Sequence, residues 1–254
     1  MIRILFIGDI VGRSGRSVVK AQLENIKTQY KPDFIIANGE NAAHGKGITP
    51  KIFHELLSLG INVVTMGNHT YAKNNIYDII EDPQLVRPLN LLPNDCGEGV
   101  RYFQVKGETI GVINVIGEVF MERDVTNPYQ SIDGILRPGV NYIVDFHGEA
   151  TSEKAIFTYH YQQELCAVIG THTHIQTADE RLINGCAFIS DVGMCAAYDS
   201  ILGRDLNEVL RNTILKEKTT YQTAEGPGIF CGVIIDIEHR RAIDIQRIQI
   251  RPDE

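Results

Sequence analysis

The first third of the chain alternates between buried strands and helices, and this alternation limits the folds open to it. Apolar runs rich in β-branched residues occupy 2–8, 33–39 and 61–67 and predict strands. Helical spacing of apolar residues marks 17–30, and a Thr-Pro start with a Gly end marks a second helix at 49–60. A strand–helix–strand–helix–strand order predicts parallel strands joined by right-handed crossovers.

The rest of the chain adds strands and helices without a linker, repeat or low-complexity run. The predicted elements are a hairpin of strands at 100–105 and 109–117, a strand at 140–146, a helix at 151–164 with Thr151 as N-cap, strands at 165–170 and 186–191, a helix at 205–216, and a final hairpin of strands at 230–237 and 242–250. A chain of 254 residues is long enough for one large core. The sequence therefore predicts a single α/β domain over residues 1–254 with a mixed sheet.

Charge and apolar content argue against several functional classes. With 24 Lys and Arg against 32 Asp and Glu, the formal net charge is −8, so the chain lacks the basic footprint of a general nucleic-acid binder. No stretch approaches the length of a membrane span, and the start MIRILFIGDIVG lacks the long apolar core of a signal peptide. The five cysteines are odd in number and form no C-x-x-C pair. These features predict a cytoplasmic protein with reduced thiols and no membrane partner.

Five predicted strands end in polar residues of the kinds that ligate metals. These residues are Asp9, Glu40, Asn41, Asn68, His69, His147, His172 and His174. In open α/β sheets, ligands bind in the crevice beyond the carboxyl ends of the strands. Residues that are distant in sequence are therefore expected to converge on one edge.

Taken singly, each of these residues has an ordinary structural explanation. An Asp or Asn after a strand is typically a turn former or a helix cap, and a lone histidine is commonly half-buried. Those explanations do not account for the shared position at strand ends. Together the residues form a nitrogen and oxygen ligand set without thiolate, which suits iron, manganese or zinc. His172 and His174 lie two apart on what we expect to be an extended segment, so each can reach a different ion.

The order of the motifs "GD", "GEN", "GNH", "H" and "GTHTH" resembles that of the calcineurin-like metallophosphoesterases. The longer stretches IGDIVGRSGR, NGENAAHGKGIT, GNHTY, VDFHGEATSEK, GTHTHIQTADERL and SDVGMCAAYDSILG are similar to the YmdB-like phosphodiesterase branch, over residues 2 to about 203. The resemblance implies a phosphoric diester hydrolase. It also implies an α/β sandwich of mixed β-sheets flanked by helices, with the active site at the carboxyl ends of the strands.

By the same resemblance, seven residues bind two transition-metal ions, with iron expected first and manganese or zinc as alternatives. Asp9, Asn41 and His174 are assigned to the first ion, Asn68, His147 and His172 to the second, and Glu40 bridges both. His69 remains as the general acid near the leaving group. A hydroxide that bridges the ions is expected to attack phosphorus in line. The implied substrate is a small-molecule phosphodiester, a 2′,3′- or 3′,5′-cyclic nucleotide.

Some positions depart from the expected motifs. Val11 stands where the wider superfamily has a histidine, and Asn41 is expected to replace that imidazole. Tyr71 and Ala72 stand where the branch commonly has Trp and Asp, which bears on substrate positioning or on the tuning of His69.

Two other functions stay open at the level of sequence. The same metals can serve a phosphomonoesterase or a nuclease. A metal-containing regulatory protein could instead bind a nucleotide and turn it over slowly. The chain is also compatible with a homo-oligomer. Metal analysis of the purified protein, followed by a comparison of substrates, would separate these alternatives.

Overall fold

The computed structural model describes residues 1–121 and 123–252. The strands are β1 (Ile2–Ile7), β2 (Asp9–Ile10), β3 (Phe34–Asn38), β4 (Val63–Thr65), β5 (Leu85–Val86), β6 (Val100–Val105), β7 (Glu108–Ile116), β8 (Val140–His147), β9 (Ala167–Thr171), β10 (Arg181–Ile183), β11 (Cys186–Ile189), β12 (Met194–Ala197), β13 (Gly228–Glu238) and β14 (Arg241–Ile250). The α-helices are α1 (Gly12–Tyr30), α2 (Pro50–Ser58), α3 (Pro128–Asp133), α4 (Thr151–Tyr161) and α5 (Leu206–Thr213), with a 3₁₀ helix at Asn74–Asp78. Among these described residues, none of the helices combines the length and the apolar composition that a bilayer span requires.

The strands form two mixed sheets rather than one. The order of the first sheet is β2-β12-β13-β1-β3-β4-β5, with β14 paired to β13. Within it β1, β3, β4 and β5 run parallel, whereas β13 is antiparallel to β1. The order of the second sheet is β10-β11-β9-β8-β7-β6, and β7, β8, β9 and β11 run parallel. The single mixed sheet predicted from the alternation is therefore wrong, and the sandwich of mixed sheets implied by the resemblance is confirmed.

Apolar layers on both faces of each sheet hold the sandwich together. Successive side chains of a strand point to opposite faces, so Ile4 and Phe6 of β1 face the second sheet while Leu5 and Ile7 face α1 and α2. On the outer face of the second sheet, α4 packs through Phe157. Burying side chains of this size contributes roughly 1.5–3 kcal/mol each. This packing fixes the two sheets face to face, with their parallel strands ending on the same side.

The start of one predicted helix and the N-cap of another differ from the structure. The helix α1 begins at Gly12 rather than at residue 17, and Gly15 within it lies so close to β12 that a Cβ would come 2.1 Å from the carbonyl oxygen of Cys195. The N-cap of α4 is Ala150, whose methyl side chain cannot accept a hydrogen bond. Thr151 is already the first helical residue, so the N-cap predicted for it is wrong. Thr49 does cap α2, since its hydroxyl accepts a hydrogen bond from the amide of Ile52.

Candidate metal centre

Strands of the first sheet bring four of the expected ligands to the edge of the sandwich. Asp9 follows the end of β1, Glu40 and Asn41 follow β3, and Asn68 follows β4. Gly67 precedes Asn68 where there is no room for a side chain: a Cβ there would lie 2.2 Å from Glu40 Oε2 and 2.6 Å from His147 Nε2. A glycine at this position therefore allows the two sheets to meet over their polar strand ends.

The second sheet delivers the histidines. His147 is the last residue of β8, and His172 and His174 follow β9. The backbone at these two residues is not extended, since φ is 100° at His172 and 68° at His174. The expectation of an extended segment is therefore wrong, and a left-handed turn separates the two rings instead. The two rings nevertheless lie in different parts of the site, with His172 Nδ1 beside His147 and His174 Nε2 beside Asn41.

One half of the site is centred on Nε2 of His147. This nitrogen lies 2.9 Å from Asn68 Oδ1, 3.0 Å from His172 Nδ1 and 3.1 Å from Glu40 Oε1. Ligand atoms of Glu40, His147 and His172 all lie within 4.8 Å of one another. A proton on His147 Nε2 can form a good hydrogen bond with only one of these three neighbours. A metal cation between the four atoms would be coordinated by all of them.

The other half surrounds the amide of Asn41. Its Nδ2 lies 3.1 Å from Glu40 Oε1, 3.2 Å from His174 Nε2 and 3.5 Å from Asp9 Oδ1. Asp9 and His174 are in turn 3.8 Å apart. Ligation by Asn41 would use its Oδ1, which requires the amide to rotate about its terminal torsion. Glu40 Oε1 contacts both halves, since it lies near Asn41 Nδ2 and near His147 Nε2.

The nitrogens of the three histidines that face away from the centre each have a partner. His147 Nδ1 is 2.9 Å from Thr171 Oγ1, and His174 Nδ1 is 2.9 Å from the carbonyl oxygen of Leu202. His172 Nε2 is 3.2 Å from Glu149 Oε2. Metal-binding histidines characteristically use the second ring nitrogen in this way, which fixes the tautomer and aims the first nitrogen at the ion. The donor chemistry therefore fits a metal centre.

Behind His147 lies a buried network that the sequence analysis missed. Thr171 Oγ1 lies 2.6 Å from Asp145 Oδ1 as well as next to His147, and all three side chains are fully buried. Asp145 also accepts hydrogen bonds from Thr65 and Asn38 of the first sheet. The available signal was Asp145 itself, a charged residue inside the apolar strand sequence VNYIVDFH. Its buried carboxylate connects strands of the two sheets that carry the expected ligands.

A second buried network fixes the loop that carries His172 and His174. The ammonium of Lys154, which is 0% exposed, donates to the carbonyl oxygen of Thr171 at 2.8 Å and pairs with Asp191 at 3.3 Å. Asp191 accepts a hydrogen bond from the amide of Thr173. The turn between the two histidines is therefore held from beneath by an ion pair.

The charged groups of the centre perturb one another strongly. Burial raises the pKa of Asp9 to about 6, although His174 and His147 oppose the shift. Burial disfavours both charges of the pair between Glu40 and His147, yet their contact prevails: the pKa of Glu40 is lowered and the pKa of His147 is raised to about 9. Burial together with His147 lowers the pKa of His172 to about 3. The ionised Glu40 carboxylate therefore favours a positive charge on the group next to it, which is His147 here.

His69 lies at the wall of a small cavity over this centre. Its amide donates to Glu40 Oε2 at 2.9 Å, so the backbone of His69 is held by the same carboxylate that joins the two halves. Burial lowers the pKa of the His69 imidazole, against the effect of Glu40 and together with that of Lys46. The cavity measures about 270 Å³, and its lining includes His69, Glu40, Glu149, Lys46 and Tyr221. His69 is therefore placed beside the cluster, facing the same space.

A larger cavity, of about 1130 Å³, lies beside β6 and contains none of the expected site residues. Volume is a poor guide here, because the small cavity is the one lined by Glu40, His69 and His172, whose pKa values are shifted. Tyr71 is absent from the lining of the small cavity as well. Its hydroxyl donates to the carbonyl oxygen of Pro93, and its ring stacks on Tyr77 with centroids 6.1 Å apart.

The chain matches the model of the family described as "YmdB-like protein" over residues 5–248. It is 44% identical to a 2′,3′-cyclic-nucleotide 2′-phosphodiesterase of Bacillus subtilis, over 99% of this chain and 98% of that protein. The structure is similar to the crystal structure of a novel phosphatase from Mycoplasma pneumoniae, with a TM-score of 0.94 and 33% identity over 100% of this chain and 94% of that one. It is also similar to a hypothetical protein from Thermus thermophilus, with a TM-score of 0.93 and 32% identity over 99% and 100% of the two chains. The family model and the relatives show that the chain belongs to the YmdB-like family, the branch of the metallophosphoesterases that its motifs resemble.

Proposed function

We propose that this phosphoesterase is a dinuclear metal-dependent phosphodiesterase that hydrolyses 2′,3′-cyclic nucleotides. The observation that carries the proposal is the position of Glu40, one buried carboxylate shared by two clusters of nitrogen and oxygen ligands beneath a cavity. Such shared carboxylates are characteristic of sites for paired metal ions in phosphoester hydrolysis. The name of the Bacillus subtilis relative, which is 44% identical over nearly the whole chain, supports the choice of substrate.

The residues suited to hold the ions are those of the two clusters. Asp9, Asn41 and His174 would hold one ion, Asn68, His147 and His172 the other, and Glu40 would be common to both. The ligand set suits iron, manganese or zinc. When bound, the two ions supply a nucleophile at neutral pH and offset the charge that develops on the phosphoryl oxygens. The protein supplies the orientation of the ligands through Thr171, Glu149 and the carbonyl oxygen of Leu202.

His69 is suited to protonate the leaving group. Hydrolysis of a 2′,3′-cyclic phosphate at the 2′ side joins the oxygen of water to phosphorus, breaks the bond between phosphorus and O2′, and requires a proton on O2′. His69 is fixed through its backbone amide and lies beside the cavity. A lowered pKa makes the protonated imidazole a stronger acid, although it reduces the fraction that is protonated.

A panel of substrates tests the proposal. Protein purified without added metal would be analysed for metal and then assayed side by side on 2′,3′-cyclic AMP, 3′,5′-cyclic AMP, a phosphomonoester and single-stranded RNA. We expect the highest kcat/KM on 2′,3′-cyclic AMP and about two metal ions per chain. A preference for the phosphomonoester or RNA would contradict the substrate assignment. Full activity of protein freed of metal by a chelator would contradict the mechanism.

A phosphomonoesterase is the second candidate. The Mycoplasma pneumoniae relative, 33% identical over 100% of this chain, is described as a "Putative phosphatase/phosphodiesterase", and the solved structure of that organism's protein is described as a phosphatase. The same panel separates the two candidates, because it ranks the monoester and the cyclic diester on one preparation.

A further inference from the structure

Lys46 places a positive charge at the site cavity. Lys46 and Arg204 are the lysine and arginine that line this cavity. Arg204 is already committed to Glu208, with two contacts of 2.9 Å from its Nη2 to the two carboxylate oxygens. Among the described residues, the lysines that form ion pairs are Lys27, Lys106 and Lys154, and Lys46 is not one of them. Its ammonium is therefore available to meet an anion that enters the cavity.

Tyr221 holds Lys46 at the cavity wall. The Lys46 Nζ lies 5.1 Å from the centroid of the Tyr221 ring, and the Arg204 Cζ lies 4.9 Å from the same centroid. Contacts of this kind between a cation and an aromatic ring are attractive. The Tyr221 hydroxyl donates to the carbonyl oxygen of Gly45, where φ is 79° and a Cβ would lie 2.5 Å from that hydroxyl oxygen. The backbone at Gly45, directly before Lys46, therefore packs against the ring of Tyr221.

We propose that Lys46 binds the phosphoryl group of the ligand and makes the site favour phosphomonoesters over diesters in binding. This role of Lys46 rests on the proposed function, because that reaction converts a cyclic diester with one negative charge into a 3′-phosphomonoester. The second pKa of a phosphomonoester is about 6, so the product carries close to two negative charges at pH 8. The attraction to a fixed ammonium doubles with the ligand charge at equal distance. Lys46 therefore makes the product a stronger ligand than a singly charged analogue and makes the enzyme sensitive to product inhibition.

The test compares two ligands of the same shape and different charge. Adenosine 3′-monophosphate carries close to two charges at pH 8, whereas adenosine 3′-sulfate carries one and has no phosphoester to hydrolyse. Their affinities for the metal-loaded protein would be measured by calorimetry in the wild type and in Lys46→Met. An exposed ion pair is worth up to about fivefold in affinity, so we expect a loss of about fivefold for the sulfate and about 25-fold for the phosphate.

Matched variants separate a contact with the ligand from a general loss of charge. Lys20→Met removes an exposed lysine of α1 that is outside the cavity lining and should leave both affinities unchanged. Lys46→Arg should retain most of the difference between the two ligands. Tyr221→Phe should retain it as well, because the ring remains, whereas Tyr221→Leu should reduce it.

Two results would overturn the proposal. One is an equal loss for the phosphate and the sulfate in Lys46→Met, and the other is a loss no larger than that in Lys20→Met. The affinities are measured directly, so the result does not depend on hydrolysis of 2′,3′-cyclic AMP. A wild type that binds adenosine 3′-monophosphate through Lys46 but does not hydrolyse 2′,3′-cyclic AMP would contradict the proposed function alone.

Discussion

The hydroxyl of Thr171 joins His147 of the proposed metal centre to the buried carboxylate of Asp145, and its removal tests the site. The oxygen lies 2.9 Å from His147 Nδ1 and 2.6 Å from Asp145 Oδ1, in a fully buried setting. Thr171→Val preserves the shape of the side chain and removes only the hydrogen-bonding group. The variant leaves one ring N–H and one carboxylate oxygen without this partner.

The size of the effect follows from those two groups. A buried polar group that loses its partner costs about 1–3 kcal/mol. Asp145 keeps hydrogen bonds from Thr65 and Asn38, so its share is at the low end. We expect the free energy of unfolding to fall by about 3 kcal/mol in the metal-free protein. Loss of the partner of a metal-binding histidine typically lowers metal affinity about 10- to 100-fold, and we expect a change of that size.

Chemical denaturation in the presence of a chelator would measure the free energy of unfolding of the metal-free wild type and variant. Competition with a chromophoric chelator would measure the metal affinity of each protein. Thr158→Val is the matched control, since Thr158 is equally buried but its hydroxyl donates only to the carbonyl oxygen of Lys154 within α4. The control should lose about 1 kcal/mol of stability and no metal affinity. Wild-type metal affinity in Thr171→Val would refute the role of the hydroxyl in orienting His147.

Three further predictions concern the centre itself. Glu40→Ala should lose both ions, because that carboxylate contacts both clusters, and retention of two ions by elemental analysis would refute the bridging assignment. His69→Gln should keep the metals and lose ~10²–10⁴-fold in rate on a cyclic nucleotide. The loss should be far smaller on bis-(nitrophenyl) phosphate, because its leaving group needs no proton. Equal losses on both substrates would contradict the role of His69 as a general acid. Gly67→Ala should abolish metal binding, since its Cβ would lie 2.2 Å from Glu40 Oε2. Gly134→Ala should bind metal normally, since, apart from its own chain neighbours, no atom of the described residues lies within 4 Å of the added Cβ.

The strands and the polar residues at their ends could be predicted from the sequence because both signals are local. Apolar runs mark β1, β3 and β4, and the carboxyl end of a parallel strand is a favoured position for ligands whatever the rest of the fold does. The division into two sheets could not be predicted in this way. It depends on pairings across the whole chain, such as Ile2 with Ile237 between β1 and β13, which no local pattern specifies.

The supporting residues escaped prediction for a different reason. Asp145 and Lys154 would be read as solvent-facing charges, since fully buried charges are rare and need several partners. Those partners come from distant segments: Asn38 and Thr65 for Asp145, and Asp191 for Lys154. The turn at His172 and His174 could not be predicted either. Non-glycine residues seldom adopt a positive φ, and the histidines themselves give no sequence signal for one.

The proposed ligands come from both sheets, and this has a consequence for folding. Asp9 and His172 are separated by 163 residues, and their segments meet only when the sheets have docked. Neither sheet alone can assemble the full set, so ions at this centre would bind the docked state and not its separated halves. By mass action such binding stabilises the native state by about 2.7 kcal/mol at a free metal concentration 100 times the dissociation constant. Metal supply would then set how firmly the sandwich stays closed, and starvation for metal would favour proteolysis of the chain as well as loss of activity.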